Sequence, residues 1–306
     1  MQAQKSHSFP RRAEMFHVEH FRSRYSVLNL MPRSLTARPA TLPITTRSLS
    51  FLVRAPLFLL GTAVCGSASL LASLFERDGR RQHRIAQAWA RFSMRVAGAT
   101  LRIEGAPNLQ NGPVAVYASN HLSYMDTPAI FSALPFQFRI VARHNLWSIP
   151  FIGWHLDRSG QLPVNVENPR ASVASLSGGV KTLRAGMPLF IFPEGGRTET
   201  GLPGPFMNGP AFMAIRAKVP IVPMALVGTH ELLPIHAKTF YPVPVTLAVG
   251  EPIATEGLTP RDADALTAEL HRRISALYFA HTWRNHPESS DRASTQELME
   301  DPVHEG

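Results

Sequence analysis

From residue 100 onward, short apolar segments alternate with longer helical ones, and this alternation limits the possible folds more than any other feature of the chain. Segments rich in strand-forming residues lie at Leu101–Glu104, Val114–Ala118, Phe138–Ala142, Leu162–Val166, Leu189–Phe192, Ile221–Val227 and Val245–Val249. Helical patterns lie at Pro128–Leu134, Pro169–Arg184, Gly209–Ala217 and Pro260–Phe279. Strands that alternate with helices form a mostly parallel sheet flanked by helices. The predicted fold class is therefore α/β.

A histidine and an aspartate follow the strand Val114–Ala118. Asp126 and Pro128 indicate the start of a helix, so His121 is expected on the connection before it. Residues five apart on one α-helix point about 140° away from each other, and a contact between these two side chains therefore requires a loop. In such a loop Asp126 would accept the N–H of one ring nitrogen of His121 and leave the other nitrogen as a general base.

Three alternatives compete with this interpretation of the first motif. His121 could be an ordinary loop histidine, with Asp126 acting only as a helix cap. A metal site is a second alternative, but no further His, Cys or Asp cluster at ligand spacing accompanies the pair, and no metal is predicted. Ser123 is a third candidate as a nucleophile, but it lacks the flanking glycines that expose such a serine.

A second motif, from Phe192 to Thr198, follows the buried strand that begins at Pro188. Gly195 and Gly196 allow backbone N–H groups to approach a ligand, and Arg197 can bind a phosphate through two parallel hydrogen bonds. The Glu194 carboxylate is unsuited to bind phosphate. It is better suited to accept a hydrogen bond from a substrate hydroxyl or to hold Arg197. A glycine turn with a surface Glu–Arg pair is the simpler alternative. Because open α/β sheets bind ligands at the carboxyl ends of strands, both motifs are expected in one site.

In this order, the motifs resemble those of the glycerolipid acyltransferases, the 1-acylglycerol-3-phosphate acyltransferases of phospholipid synthesis. Asn120-His121 with Asp126 matches the NHxxxxD block, and Phe192-Pro193-Glu194-Gly195 with Arg197 matches FPEGxR. Val219–Pro223 matches the apolar VPIVP block, and the stretch from Arg143 to Trp154 resembles the one before the family's second block. The resemblance covers about residues 100 to 255.

The resemblance implies an enzyme that moves a fatty acyl group from acyl-CoA or acyl carrier protein to the free hydroxyl of a lysophospholipid, with lysophosphatidic acid as the first choice. It implies His121 as the general base and Asp126 as its partner, with no acyl-enzyme and no cofactor beyond the acyl donor. The candidate substrate-binding residues are Asn120, Glu194, Gly195, Gly196 and Arg197, together with Arg143 for a donor or head-group phosphate.

Two positions depart from the family pattern. Asn165 and Val166 stand where the second block usually has Asp-Arg, and Met207 and Asn208 occupy a region where a Phe-Lys pair is common. Because expected cations are missing, another lysolipid, including an aminoacyl lysolipid, is an alternative acceptor for a remodelling enzyme. A catalytically idle lipid-binding membrane protein is the alternative from another class.

The net charge of +9 predicts an anionic partner. No nucleic-acid-binding signature accompanies the charge, so an anionic membrane surface explains it better than nucleic acid does. Acyl carrier protein is a further candidate partner. The lone Cys65 excludes an internal disulfide and lies in an apolar stretch far in sequence from both motifs.

Four segments are predicted along the chain. Residues 1–48 are predicted to form a basic, disordered extension, and initiation of translation at Met31 is an alternative. Residues 49–98 are predicted to form a membrane-associated helical segment. Residues 99–284 form the acyltransferase domain, and residues 285–306 form a disordered acidic tail.

Within the membrane-associated segment, Ala55–Phe75 contains no charged residue over about the 20 residues that cross a bilayer. It is interpreted as a spanning helix, an interfacial or re-entrant helix, or a buried helix of the domain. The heavier arginine cluster follows it, which places the catalytic domain on the cytoplasmic face of the cell membrane. Gln82–Val96 continues as a basic amphipathic helix, whose apolar stripe lies against the membrane or packs onto the domain.

Overall fold

The computed structural model describes residues 44–76, 78–109, 112–149, 152–165, 169–198 and 200–285. Its helices are α1 (Ile44–Leu49), α2 (Ala55–Ala72), α3 (Arg80–Ala97), α4 (Asp126–Ala133), α5 (Ile152–Arg158), α6 (Pro169–Arg184), α7 (Gly209–Ala217), α8 (Thr229–Leu232) and α9 (Ala263–Asn285). Its strands are β1 (Thr100–Glu104), β2 (Val116–Ser119), β3 (Arg139–Arg143), β4 (Leu162–Val164), β5 (Leu189–Ile191), β6 (Ile221–Val227) and β7 (Pro244–Val249). A π-helical turn (Ser50–Arg54) joins α1 to α2, and short 3₁₀ helices lie at Ala106–Leu109, His144–Ser148 and Pro260–Asp262.

The strands form one sheet in the order β1-β7-β6-β2-β5-β3-β4. Neighbouring strands are parallel except for β6 and β7, which are antiparallel. The connection between β6 and β7 holds the single-turn helix α8 instead of a helix that covers the sheet, and β7 runs back beside β6. The predicted fold class, a mostly parallel sheet flanked by helices, is confirmed.

The central strands are buried on both faces, as expected for a parallel sheet covered by helices. Successive residues of β2 point to opposite faces, so Tyr117 packs in the core beside α3 and α4 while Val116 and Ala118 pack beside α7 and α9. This arrangement holds the carboxyl ends of β2, β5 and β6 in fixed positions at one edge of the sheet.

Several boundaries differ from the predicted ones. The chain is already helical from Ile44, inside the predicted disordered extension, because α1 and the π-helical turn continue into α2. The predicted helix Pro260–Phe279 begins as a 3₁₀ turn and extends as α9 to Asn285. Helix α5 was not predicted. The predictions for residues 1–43 and 286–306 lie outside the described residues.

The stretch Arg47–Ala72 is long and apolar enough, by length and composition, to cross a membrane. Only 6% of its most apolar window is buried within the protein, which contradicts the alternative of a buried domain helix. The apolar stripe of α3 packs against this stretch: the Trp89 indole N–H donates to Thr62 Oγ1 at 3.0 Å, and the Phe92 ring lies against Gly61.

Candidate active site

Two neighbouring strands bring the two sequence motifs together. β2 pairs with β5 in parallel register, so the loops that follow them leave the same edge of the sheet. His121 comes two residues after the end of β2, and Phe192 follows directly after β5. The loops are also bonded to each other, because the Thr198 backbone N–H donates to the His121 carbonyl at 3.2 Å.

The predicted contact between His121 and Asp126 is present, with 2.8 Å between His121 Nδ1 and Asp126 Oδ2. The same carboxylate oxygen accepts the backbone N–H groups of Leu122 at 2.7 Å and Ser123 at 2.8 Å. Asp126 is the first residue of α4, in agreement with the predicted helix start, and its side chain binds the loop that precedes the helix. The fully buried carboxylate therefore fixes both the loop and the imidazole.

The orientation of His121 defines the chemistry of its ring. A carboxylate oxygen only accepts hydrogen bonds, so Nδ1 carries a proton, and in the neutral imidazole the lone pair is on Nε2. The His121 ring lines the main cavity of this edge of the sheet. This arrangement is suited to general-base catalysis.

An aromatic ring that the sequence analysis did not assign to the site supports the imidazole. The Phe192 ring stacks on His121 with 3.9 Å between the ring centroids and 11° between the planes. Phe190 packs edge-on behind Phe192 at 4.8 Å, so the supporting ring is itself held by the core. The position of Phe192 immediately before Pro193-Glu194-Gly195 indicates that it lies near the site. Its stack on His121 depends on the pairing of β2 with β5.

Asn120 lies beside the catalytic loop and is fully buried. Its side-chain N–H donates to the Leu226 carbonyl at 2.9 Å, and its Oδ1 accepts the Leu226 N–H at 2.8 Å. This pair of bonds ties the loop to β6. The Asn120 amide is thus engaged on both sides and does not line the main cavity, and its role in substrate binding stays a prediction.

Glu194 faces the catalytic loop from the second motif. Its Oε1 accepts the His121 backbone N–H at 3.0 Å, and the described residues show no ion pair between Glu194 and Arg197. Burial raises the pKa of the Glu194 carboxyl to about 8, and the charge of Asp126 adds to the rise; the N–H groups of His121 and Gly204 oppose it. The raised pKa favours the uncharged form of this carboxyl near neutral pH.

Arg197 lies above the ring of Tyr124, with 3.5 Å from its Cζ to the ring centroid. The backbone reaches it through Gly195, whose φ of 67° is a left-handed conformation that favours glycine. Arg197 and Tyr124 both line the main cavity, as do Gly195 and Gly196. The glycine-arginine loop of the second motif and the imidazole of the first thus share one cavity.

This main cavity has a volume of about 510 Å³. The predicted cation Arg143, at the end of β3, also lines it. Met207 and Asn208, where the family pattern led us to expect a cation, lie on its wall as well. Asn208 is bonded to Asp264 of α9. Val166 lies outside the described residues, so only Asn165 of that pair can be located, and it does not line the cavity.

A second cavity of about 280 Å³ lies beside the first, and the sequence analysis did not foresee it. Its walls come from α2, α3, α4, α5 and the sheet, and are mainly apolar. The two cavities share four lining residues: Thr127, Ile140, Ala142 and Leu146.

Comparisons with known proteins agree with this arrangement. The family model described as Acyltransferase matches residues 100–227, a range that contains both motifs. The chain is 34% identical over 163 residues to the 1-acyl-sn-glycerol-3-phosphate acyltransferase BAT2 of Brassica napus, a match that covers 53% of this chain and 47% of the relative. It is 28% identical over 182 residues to the human 1-acyl-sn-glycerol-3-phosphate acyltransferase beta, covering 59% and 66%.

The fold is similar to the crystal structure of the 1-acyl-sn-glycerophosphate acyltransferase PlsC from Thermotoga maritima. The TM-score is 0.62 at 20% identity, and the match covers 83% of this chain and 98% of the other. The chain spans about half the length of the two plant relatives that it matches at 34% identity. Residues 100–227, with their two motifs on one cavity, are therefore similar in sequence to the domain that the Acyltransferase family model describes.

Proposed function

We propose that this protein is an O-acyltransferase that moves a fatty acyl group from acyl-CoA or acyl carrier protein to the free hydroxyl of lysophosphatidic acid, giving phosphatidic acid. One observation carries the proposal: an oriented general base, His121, and a guanidinium, Arg197, line the same cavity. The names of the related proteins agree with this reaction.

The proposed chemistry needs no covalent intermediate. His121 Nε2 takes the proton of the acceptor hydroxyl as its oxygen attacks the thioester carbonyl, and Asp126 stabilises the imidazolium that forms. The carbon–sulfur bond then breaks, and the leaving thiolate takes the proton from His121. The thioester is already activated, which is why a base for the hydroxyl is sufficient.

A phosphate monoester fits the charge of the cavity. It carries close to two negative charges near neutral pH and offers three terminal oxygens to a planar guanidinium. Arg197 and Arg143 both line the cavity, and the protonated Glu194 does not oppose the phosphate charge. A remodelling enzyme for another lysolipid is the second candidate, because Met207 and Asn208 supply no further cation.

Acylation by the purified protein across a panel of lysophospholipids tests the proposal. We expect phosphatidic acid from lysophosphatidic acid with at least one of the two donors, acyl-CoA or acyl carrier protein. Preferred acylation of a different lysolipid would establish the remodelling enzyme instead. Lysolipid binding without turnover on any donor and acceptor pair would establish an idle lipid-binding protein.

We further propose that the acyl chain of the donor occupies the second cavity. This cavity is apolar and shares walls with the one that holds His121, so a chain inside it would leave the thioester carbonyl near the base. Burial of each methylene contributes about 0.8 kcal/mol, so a mainly apolar cavity of limited volume can discriminate between acyl chains of different length.

Gly66→Leu is expected to shift the preference of the enzyme toward shorter acyl chains. Gly66 of α2 lines the second cavity, and a side chain added there meets open space within 4 Å. Excluding two methylenes costs about 1.6 kcal/mol, or roughly tenfold against the longest chain accepted. Competition between thioesters of graded length measures the shift. Gly178→Leu is the matched control, since Gly178 is also helical with open space around it but lines neither cavity.

We also propose that α2 lies in the membrane interface and does not span the bilayer. The domain holds α2 along its length: Phe58 packs on Trp89, the Ser69 hydroxyl is bonded to His155 Nδ1 at 2.7 Å, and Arg158 donates to Ser73 Oγ at 3.3 Å. A helix fastened in this way to arginine-bearing neighbours cannot cross the hydrocarbon core without burying their charges.

The surface around α2 has the chemistry of an interfacial contact. Its outer face exposes large apolar side chains, and Ile149, Ile152 and Trp154 near α5 are exposed as well. α3 carries exposed Arg84, Arg91 and Arg95, at helical spacing, for anionic head groups. The cytoplasmic face is the proposed side, because charged acyl thioesters do not cross a bilayer.

Leu59→Glu is expected to weaken binding to anionic vesicles by about tenfold or more. The Leu59 side chain is 68% exposed on α2, and its replacement removes a contribution of roughly 1.5–3 kcal/mol while adding repulsion from the lipid charge. Co-sedimentation with phosphatidylglycerol-containing vesicles measures the change. Val173→Glu places the same charge on α6, at a side chain that is 62% exposed, and should leave vesicle binding unchanged.

A further inference from the structure

Tyr124 has no assigned role in the site, although it lies within the same turn as the catalytic pair. It comes three residues after His121 and two before Asp126. Its side chain is exposed and stands on the wall of the main cavity, where the Arg197 guanidinium covers its ring at 3.5 Å. Because Tyr124 is exposed, its side chain contributes little to the hydrophobic core. The contact of its ring with Arg197 therefore suggests a role in the site.

Arg197 has an unusual set of partners for an arginine in an active-site loop. Among the residues that the structure describes, the Arg197 guanidinium makes no ion pair or hydrogen bond. Its face lies against the Tyr124 ring. A carboxylate partner would have occupied one edge of the guanidinium and neutralised its charge. A ring below its face does neither, so contact with Tyr124 leaves the in-plane N–H donors open to an anion.

The backbone around Tyr124 is rigid enough for such a role. Asp126 binds the N–H groups of Leu122 and Ser123, and the Ser123 hydroxyl is bonded to the Leu233 carbonyl at 2.8 Å. The turn that orients the base therefore also sets the position of the ring. This turn carries both His121 and the Tyr124 ring on which the Arg197 guanidinium lies, so it links the positions of the two groups.

We propose that Tyr124 is a positioning residue that holds Arg197 ready for the phosphate of the acceptor. The aromatic ring carries the effect, and the phenolic hydroxyl does not. The ring restricts the Arg197 side chain before the ligand binds. Less conformational entropy is then lost when the phosphate binds. This inference rests on the proposed function, in which the acceptor is a lysolipid with a phosphate monoester.

The test compares Tyr124→Leu, which removes the ring, with Tyr124→Phe, which keeps it. In lysophosphatidic acid acylation, we expect Tyr124→Leu to raise the KM for the acceptor by about 3- to 30-fold, the range of a cation–π contact, with kcat nearly unchanged. Tyr124→Phe should keep the KM of the wild type. In an Arg197→Ala background, Tyr124→Leu should have no further effect, which a general loss of structure would not produce.

Binding of glycerol 3-phosphate, followed by calorimetry, separates this inference from the proposed function. If the wild type binds the probe but does not turn over, the proposed function fails, and the same order of affinities among the variants still supports the role of Tyr124. Equal KM and affinity in the wild type and Tyr124→Leu would overturn it. It would also be overturned by an equal loss in Tyr124→Phe, by an undiminished effect of Tyr124→Leu without Arg197, or by a wild type that does not bind the probe.

Discussion

His121→Ala is expected to reduce kcat for acyl transfer by at least about 10², the contribution of a positioned general base. The imidazole is held at Nδ1 by Asp126 and on its face by Phe192, so the substitution removes the ring whose Nε2 is positioned to act as the base. Initial rates at saturating donor and acceptor measure the loss. Because the substitution leaves Arg197 in place, the KM for the acceptor should change little.

His144→Ala is the matched control for this experiment. His144 is an exposed histidine of the 3₁₀ helix after β3 and lines neither cavity, so its removal should leave kcat within about twofold. A His121→Ala protein that is folded and still turns over at the rate of the wild type would exclude His121 as the base.

Asp126→Ala is expected to lower both catalysis and stability. It removes the group that orients His121, and it leaves the buried N–H groups of Leu122 and Ser123 without their acceptor. Each unsatisfied N–H costs about 1–3 kcal/mol, so the loss of the acceptor for two N–H groups is expected to lower the free energy of unfolding by roughly 2–6 kcal/mol. The same variant should lose about 10² or more in kcat. Urea unfolding and initial rates measure the two effects.

Asp157→Ala provides the comparison, since Asp157 is exposed on α5 and should lose less than about 0.5 kcal/mol. Where Asp126→Ala does not fold, Asp126→Asn keeps the shape of the side chain and reports on catalysis alone. Wild-type stability in Asp126→Ala would contradict the role of this carboxylate in holding the loop.

The strands and most helices could be predicted because local patterns define them. β6 is a continuous apolar run, and its predicted bounds, Ile221–Val227, agree with the structure. The same holds for α6 and α7, whose first turns begin with proline or glycine-proline. α5 was missed because Ile152–Arg158 is short and follows an aromatic stretch without a capping signal.

Contacts between residues that are far apart in the sequence are the part of the site that could not be predicted. The proximity of His121 and Asp126 followed from a local loop, and that contact is present. The stack of Phe192 on His121 joins residues more than seventy positions apart and depends on the register of β2 with β5. The raised pKa of Glu194 depends on burial, which no spacing in the sequence reveals.

Direct transfer to the acceptor, without an acyl-enzyme, is the central claim, and thiol release in a single turnover tests it most directly. Enzyme in excess over the acyl thioester that serves as its donor is incubated first without and then with lysophosphatidic acid, and the thiol released from the donor is measured by chromatography, because a thiol reagent would also react with Cys65. The account predicts no thiol before the acceptor is added, and then one thiol released for each phosphatidic acid formed. A burst of thiol without the acceptor, or no thiol after its addition, would contradict it.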